Sequence, residues 1–439
     1  MGNKNLSTSV LIIGNGISGV TAARHIRKRS DLSITIVSEE TKYFFSRTAL
    51  MYIYMGHMKF EHTKPYENSF WGKNKINIVE GRVMSINDSL NSVELNDGLR
   101  ISYQYLIIGC GSKPNKFGWP GQDLKGVSGM YHLQDLEQLE KLSPYIDSSV
   151  IVGGGLIGIE LAEMLHSRNI KVHYLVRESS FWNKVLPKEE SQMITRHILD
   201  HHIGLQLETE LKEIVSDTHG RAKGVYTSND DYISCQYVGL TCGVKPNIDF
   251  LTESESNIKT DRGILVDKYL QTNIENIYAI GDCAQQTQPN PKRLAIEAVW
   301  YTGRMMGEAV ARTITGNETP YNPGQWFNSA KFFDIEYQTY GWVNAQPNPK
   351  QEKHLYWEHP QKNISIRLAY HPNTFKFIGV VNMGIRLKHE VFNQWLEDHR
   401  DISFVIHDLQ HAHFDPEFYG NYIKMAKTKF EQHLIPEYS

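Results

Sequence analysis

Twice along the chain an apolar run enters a glycine-rich turn, a helix-like stretch follows, and a second apolar run closes the unit. The first copy runs from Ser9 to Ile13 through Gly14-Asn15-Gly16-Ile17-Ser18-Gly19 into a helix over Val20 to Arg29 and a strand over Ser33 to Val37. The second begins at Val150-Ile151-Val152 and passes Gly153, Gly155, Leu156, Ile157 and Gly158; a helical stretch follows, then the run Val172 to Val176. Each copy predicts strand, turn, helix, strand. In such a turn one glycine makes the tight bend, one lets the backbone approach a pyrophosphate, and one lets helix and strand pack closely. The helix N-terminus then presents free amides and its positive dipole end to the phosphates. One such turn is weak evidence; two in full context predict two dinucleotide-binding units. Glu39, with Glu40 beside it, follows the first turn at about the 20-residue distance where a carboxylate bonds a ribose hydroxyl. The first unit is therefore expected to take the adenosine half of a dinucleotide.

The rest of the chain fills in around these units. Residues 76 to 108 predict a strand meander, Ile76 to Val79, Gly81 to Asn87, Ser92 to Leu95 and Tyr105 to Ile108, with Asn96-Asp97-Gly98 as a turn. Gly109-Cys110-Gly111-Ser112-Lys113-Pro114 breaks the pattern. More strands follow the central unit and end at Asn276 to Cys283, before a helix expected over Ile296 to Thr315. Thr319 to Pro323 predicts a linker. From Gln325 aromatic-rich strands begin, and after Lys388 two helices are expected, Glu390 to His399 and Pro416 to Gln432.

Composition narrows the class. A chain of 439 residues, 40% hydrophobic and 22% charged, holds two or three globular domains. A net charge of -3 gives no basic field, which argues against nucleic acid as a partner. No apolar run approaches the roughly 20 residues of a membrane span, and the N-terminus has no signal-peptide pattern. Four cysteines lie far apart without a CxxC spacing, which suits a reducing compartment, so a cytoplasmic protein is expected.

Four local stretches, in order, resemble the flavoprotein reductases with two dinucleotide-binding domains. Tyr105 to Ser112 is similar to that family's alanine–threonine–glycine crossover, and Thr241 to Asn247 to its glycine–x–x–proline–asparagine return. Ala279 to Ala284 is similar to its second FAD motif, and Glu297-Ala298-Val299 to the Glu-Ser-Val of ferredoxin reductases. The branch it looks most like comprises ferredoxin and rubredoxin reductases, nitrite-reductase flavin domains and apoptosis-inducing-factor-like proteins. The resemblance spans roughly residues 9 to 345. It implies an α/β fold with two Rossmann-like domains and an α+β C-terminal interface domain. FAD is expected on 1–122 with 247–318, NAD(P)H on 123–246, and the interface domain with a helical extension on 319–439. It assigns Val83, Gly109, Gly111, Gly281, Asp282 (to the ribityl chain) and Glu297 to FAD. Gly243 stands in the return segment and is also assigned to cofactor binding.

The departures from the family are informative too. Ser46 to Tyr52 resembles its Arg-Pro-x-Leu-Ser-Lys stretch. Arg47 is retained, and a cation there would fork onto the FAD pyrophosphate. Tyr52 replaces the Lys that pairs with the glutamate of the central motif, here Glu160. Glu160 is then expected near the nicotinamide without a cation, and a buried carboxylate without one has a raised pKa. Gln134 replaces an Arg. No redox-active cysteine pair follows the first unit, so the flavin must pass electrons directly onward. At the end of the central unit's second strand, Arg177, with Lys184 as a second cation, favours NADPH, while Glu178 points to NADH.

After Arg386 the resemblance ends. His407, His411, His413 and Asp415 can be drawn as a metal site, but a capping extension is the preferred reading and no metal is expected. Phe332, Phe333 and Tyr337 are expected in the core. The resulting expectation is an enzyme that moves electrons from NAD(P)H through FAD to a small iron–sulfur protein such as a ferredoxin or rubredoxin. A homodimer is compatible with it. The alternatives are a quinone or oxygen reductase, or a slow flavin-based redox sensor or scaffold of the apoptosis-inducing-factor type.

Overall fold

The computed structural model describes residues 5–434 except 253, 255, 418 and 419. It divides the chain into two compact units: Met1–Phe117 with Gly129–Pro144 and Gly243–Pro323, and Gly118–Ser128 with Tyr145–Cys242 and Gly324–Ser439.

In the first unit the strand Asn5–Ile13 lies between Ile34–Ser38 on one side and Arg100–Ile108 on the other, parallel to both. Ile76–Glu80 extends the sheet beyond Ile34–Ser38, and Ile277–Ala279 pairs with Leu106 to Ile108. The near-continuous apolar runs match strands buried on both faces: Val10, Leu11, Ile12 and Leu106 to Ile108 have no exposed surface. The helix Ile17–Arg27 packs extensively with Trp300–Ile314.

Two expectations change here. Ile76–Glu80 is a parallel strand of the main sheet, not part of a meander. A short apolar run carries no information on strand direction, and the intervening segment from 39 to 75 supplies the long crossover that parallel pairing needs. The meander is confined to Val83–Asn87, Ser92–Leu95 and the start of Arg100–Ile108. The late helix starts at Trp300 rather than Ile296, because Val299 is extended (φ -132°, ψ 136°).

The second unit repeats the parallel theme. Its sheet runs Gly204–Leu207, Lys171–Val176, Ser148–Val152, Tyr237–Leu240, Val127–Ser128, all parallel. A three-stranded antiparallel sheet, Leu211–Ser216, Ala222–Thr227 and Tyr232–Ser234, packs with it around Val225 and Val238. The C-terminal part is a five-stranded antiparallel sheet in the order Phe327–Phe332, Ile335–Gly341, Phe377–Met383, Ser365–Tyr370, Lys353–Glu358. The helices His389–Glu397, Ile402–Asp408 and Tyr422–Leu434 share a core with it around Leu368, Val380, Phe392 and Phe430. The helix Ile402–Asp408 lies in the histidine-bearing segment between the two expected helices; the Asp401 carboxylate caps it by accepting the Phe404 amide at 2.9 Å.

Candidate functional site

At the C-terminal ends of the first unit's parallel strands, where strand order reverses about Asn5–Ile13, a cleft of about 580 Å³ opens. That is where an open α/β sheet binds ligands, and the size suits one. Gly14, Gly16, Ile17, Ser18, Glu39, Glu40, Arg47, Val83, Gly109, Gly111, Gly281 and Asp282 all line it, as does Gln134. Gly14 has φ +101°, and a Cβ there would lie 2.2 Å from the Gly109 oxygen, so the turn and the crossover segment close only on a glycine. The helix Ile17–Arg27 begins without a side-chain cap and without an acidic residue in its first turn. Its leading amides thus remain available to an anion. Gly19 does not line the cleft and instead seats the helix against Gly14.

Three side-chain groupings shape the walls. Glu40 and Arg47 form a fork (Nη1–Oε1 3.0 Å, Nη2–Oε2 2.5 Å), and the Leu133 amide donates to Oε1 at 2.8 Å. Burial alone would raise the Glu40 pKa, but His132, whose Nδ1 is 3.8 Å from Oε1, together with Arg47 and the Leu133 amide holds it at about 2. The Arg47 fork, expected on a pyrophosphate, therefore closes on Glu40; a carboxylate this buried needs its cation. Arg47 also lies over the Tyr131 ring, 4.7 Å from its centroid. Ser112 Oγ donates to Asp282 Oδ2 at 2.5 Å and is 3.1 Å from the Tyr131 hydroxyl. Burial raises the Asp282 pKa, against the opposing pull of Ser112 and Arg47. Ser112, Tyr131 and His132 were not picked out from the sequence as ligand-side groups. Tyr131 and His132 lie outside any glycine motif, and only the fold returns them to the cleft.

Glu297 is not among the lining residues, although Ala298 and Trp300 are. Its carboxylate is almost fully buried and paired with Arg293 (Nε–Oε1 2.6 Å, Nη2–Oε2 2.8 Å) just before the helix Trp300–Ile314. Tyr52 does not line the cleft either; it sits on the short helix Leu50–Tyr54 and stacks against His57, 6.1 Å between ring centroids. Cys110 does line the cleft, but contact with Cys283 and burial push its thiol well above the usual range, which leaves it protonated.

The second unit carries the other glycine turn. A Cβ at Gly158 would lie 2.4 Å from the Gly153 oxygen and 2.5 Å from the Tyr174 hydroxyl, so the helix Leu156–Ser167 reaches its strand only with glycine there. Nothing stands within 4 Å of a Cβ at Gly155, and Leu156 and Ile157 form the first turn, which has no side-chain cap and no acidic residue. At the strand end Glu178 is gripped by Arg177 Nε at 2.9 Å and Lys184 Nζ at 3.1 Å, both cations being well exposed. Further along the same helix, burial and then the nearby Glu163 raise Glu160 to about 7. The Lys331 ammonium is 3.3 Å from Glu163. Gly243 belongs to the first unit, in a left-handed turn with φ +81°.

Both turns thus have the build of dinucleotide sites, and comparison with known proteins places them in a family. The chain is similar to rhodocoxin reductase of Rhodococcus erythropolis, 29% identical over 74% of this chain and 76% of that one. It is similar to the nitrite reductase [NAD(P)H] of Bacillus subtilis, 27% identical over 65% of this chain, and spans about a third (35%) of that protein's length. Its fold matches a ferredoxin reductase from Rhodopseudomonas palustris with a TM-score of 0.78 at 22% identity, over 86% of this chain and 91% of that one. No helix among the described residues is long and apolar enough to cross a membrane. The family implies a flavin and a pyridine nucleotide as cofactors, and the cleft's glycine turn, uncapped helix and polar walls fit the first of them. With residues 8–302 matching its model, the chain belongs to the pyridine nucleotide-disulphide oxidoreductase family.

Proposed function

We propose that this protein takes a hydride from NAD(P)H onto FAD and passes the electrons to a small iron–sulfur protein. The observation that carries it is the cleft at the strand ends, walled by Glu40–Arg47 and Ser112–Asp282 with a protonated Cys110 as its one thiol. Bound FAD would supply the conversion of a two-electron donor into single-electron steps. The residues' part is to bind and orient. The amides at Gly16 to Ser18 suit the pyrophosphate, Glu39 the adenosine ribose, and Asp282 the ribityl chain. Ser112 and Tyr131 fix the Asp282 carboxyl. In the other unit Gly153 to Gly158 suits the nicotinamide dinucleotide. Burial and the contact with Cys283 disfavour a Cys110 thiolate, which suits direct transfer from the flavin to an external acceptor. The names of relatives, a rhodocoxin reductase and a ferredoxin reductase, support an iron–sulfur acceptor. Four cysteines far apart and without a CxxC spacing suit a cytoplasmic location.

We assign NADPH as the better donor. Two cations on Glu178 leave a net positive charge at the strand end, which favours a 2′-phosphate over a free hydroxyl. Flavin reduction followed by stopped flow tests both parts. Bleaching by NADPH should be fast, and Arg177→Ala should lower kcat/KM for NADPH by about tenfold, about 1.4 kcal/mol, while sparing NADH. Equal losses with both nucleotides would remove Arg177 from the choice of donor.

A second reading, a slow flavin-based sensor, is favoured by Glu160, whose raised pKa has Glu163 rather than a cation beside it. Flavin that either nucleotide bleaches only over minutes would support the sensor, and rapid turnover on an added ferredoxin would dismiss it.

A further inference from the structure

The helix Lys188–Asp200 carries His197 and, at its C-cap, His201, four residues apart and so on one face. A two-residue turn, Phe333-Asp334, joins the strands Phe327–Phe332 and Ile335–Gly341 and brings Asp334 to the same point. His197 Nε2 is 2.6 Å from Asp334 Oδ1, and one donor atom from each of the three residues lies within 4.8 Å of the others. We propose that His197, His201 and Asp334 bind a divalent transition-metal ion of the zinc type, with a water as fourth ligand, and so tie this helix to the C-terminal sheet.

Two imidazoles and a carboxylate make a three-ligand set for such an ion. The orientation of the His201 ring supports it. His201 Nδ1 is 2.9 Å from the His197 carbonyl oxygen and donates to it, which leaves Nε2 as the lone-pair nitrogen. Asn363 Nδ2 is 3.2 Å from His197 Nδ1. Binding an ion through Nε2 requires this amide to turn over, so that its oxygen accepts Nδ1–H. Phe333, a non-glycine residue at φ +55°, stacks on His201 with 4.1 Å between ring centroids, which holds both the turn and the second ring. Ligands on a tetrahedral zinc ion stand roughly 3.3 Å apart, given bonds of about 2.0–2.1 Å. The Asp334 side chain, 79% exposed, can widen its 2.6 Å contact to that separation. None of the three residues lines the cleft. The histidines of the C-terminal extension do not make this site: His411 pairs with Asp408, and the group at ligand distance among the described residues is the one above.

The full chain, purified with its flavin and treated with a chelator, would be titrated with ZnCl2 by calorimetry and with CoCl2 by visible absorption. One equivalent of saturable binding, a higher unfolding midpoint and the ligand-field bands of four-coordinate cobalt are expected. His201→Ala and Asp334→Asn should each weaken binding by at least about tenfold, with circular dichroism unchanged. A His407→Ala/His411→Ala double variant should bind as the parent does. No saturable binding, or parent-like affinity in both site variants, would overturn the proposal and leave a plain His–Asp ion pair.

Discussion

Glu160 has its ordinary pKa of 4.5 in the unfolded chain and about 7 when folded. Below 4.5 both states are protonated. Between 4.5 and 7 only the unfolded state ionises, so stability falls as pH rises, and above 7 the whole penalty is present. That penalty is up to about 3 kcal/mol. Glu160→Gln should therefore raise the urea midpoint at pH 8 and leave it unchanged at pH 4; no gain at pH 8 would mean the folded carboxyl titrates normally. Glu40 works in the opposite sense. Its folded pKa of about 2 contributes stability above 4.5 that is lost as pH falls toward 2. Arg47→Ala removes the fork from a carboxylate whose side chain is 12% exposed, while Arg47 itself is 36% exposed, so a cost of about 1–3 kcal/mol is expected. Glu40→Gln/Arg47→Ala should recover part of it in chemical denaturation. A raised Glu160 pKa is expected from the sequence on the ground that no cation faces it; in the structure burial, and then Glu163, raises it. The Glu40–Arg47 fork is not legible there: a resemblance shows that Arg47 is retained, not which carboxylate the chain turns toward it.

At the level of elements, the two glycine-turn units were legible because their period, turn chemistry and flanking apolar runs agree with one another. What the pattern could not carry was direction and competition. Ile76–Glu80 reads equally well as either kind of strand, and the helix starts at Trp300 only because the Val299 backbone before it is extended. The glycines themselves separate a folding role from a binding role. A Cβ at Gly14 meets the Gly109 oxygen at 2.2 Å with φ at +101°, whereas a Cβ at Gly16 meets nothing within 4 Å and φ is -66°. Gly14→Ala should thus yield little folded protein. Gly16→Ala should fold with an unchanged far-ultraviolet spectrum yet retain FAD at least about tenfold less tightly, since the added methyl would face the pyrophosphate's approach. A Gly16 variant that keeps flavin as the parent does would place the pyrophosphate elsewhere.

Over the whole molecule, each compact unit has its own parallel sheet and core, with one glycine turn apiece. Ligands that bind only the folded form stabilise it by mass action, by about 2.7 kcal/mol at a hundredfold excess over Kd. If the two nucleotide sites lie in different units, two ligands should act on two different parts of a heat-unfolding trace. Calorimetry of the flavin-free chain is expected to give more than one transition, as multi-domain chains commonly do. Added FAD should move the transition of the unit that contains Gly14 and Asp282, and NADPH that of the unit that contains Gly153 and Arg177. Asp282→Asn should blunt the first response and spare the second, while Arg177→Ala should do the reverse. A single transition that both ligands raise together would mean the units unfold as one body, and the ligand assignment would then rest on the two variants alone.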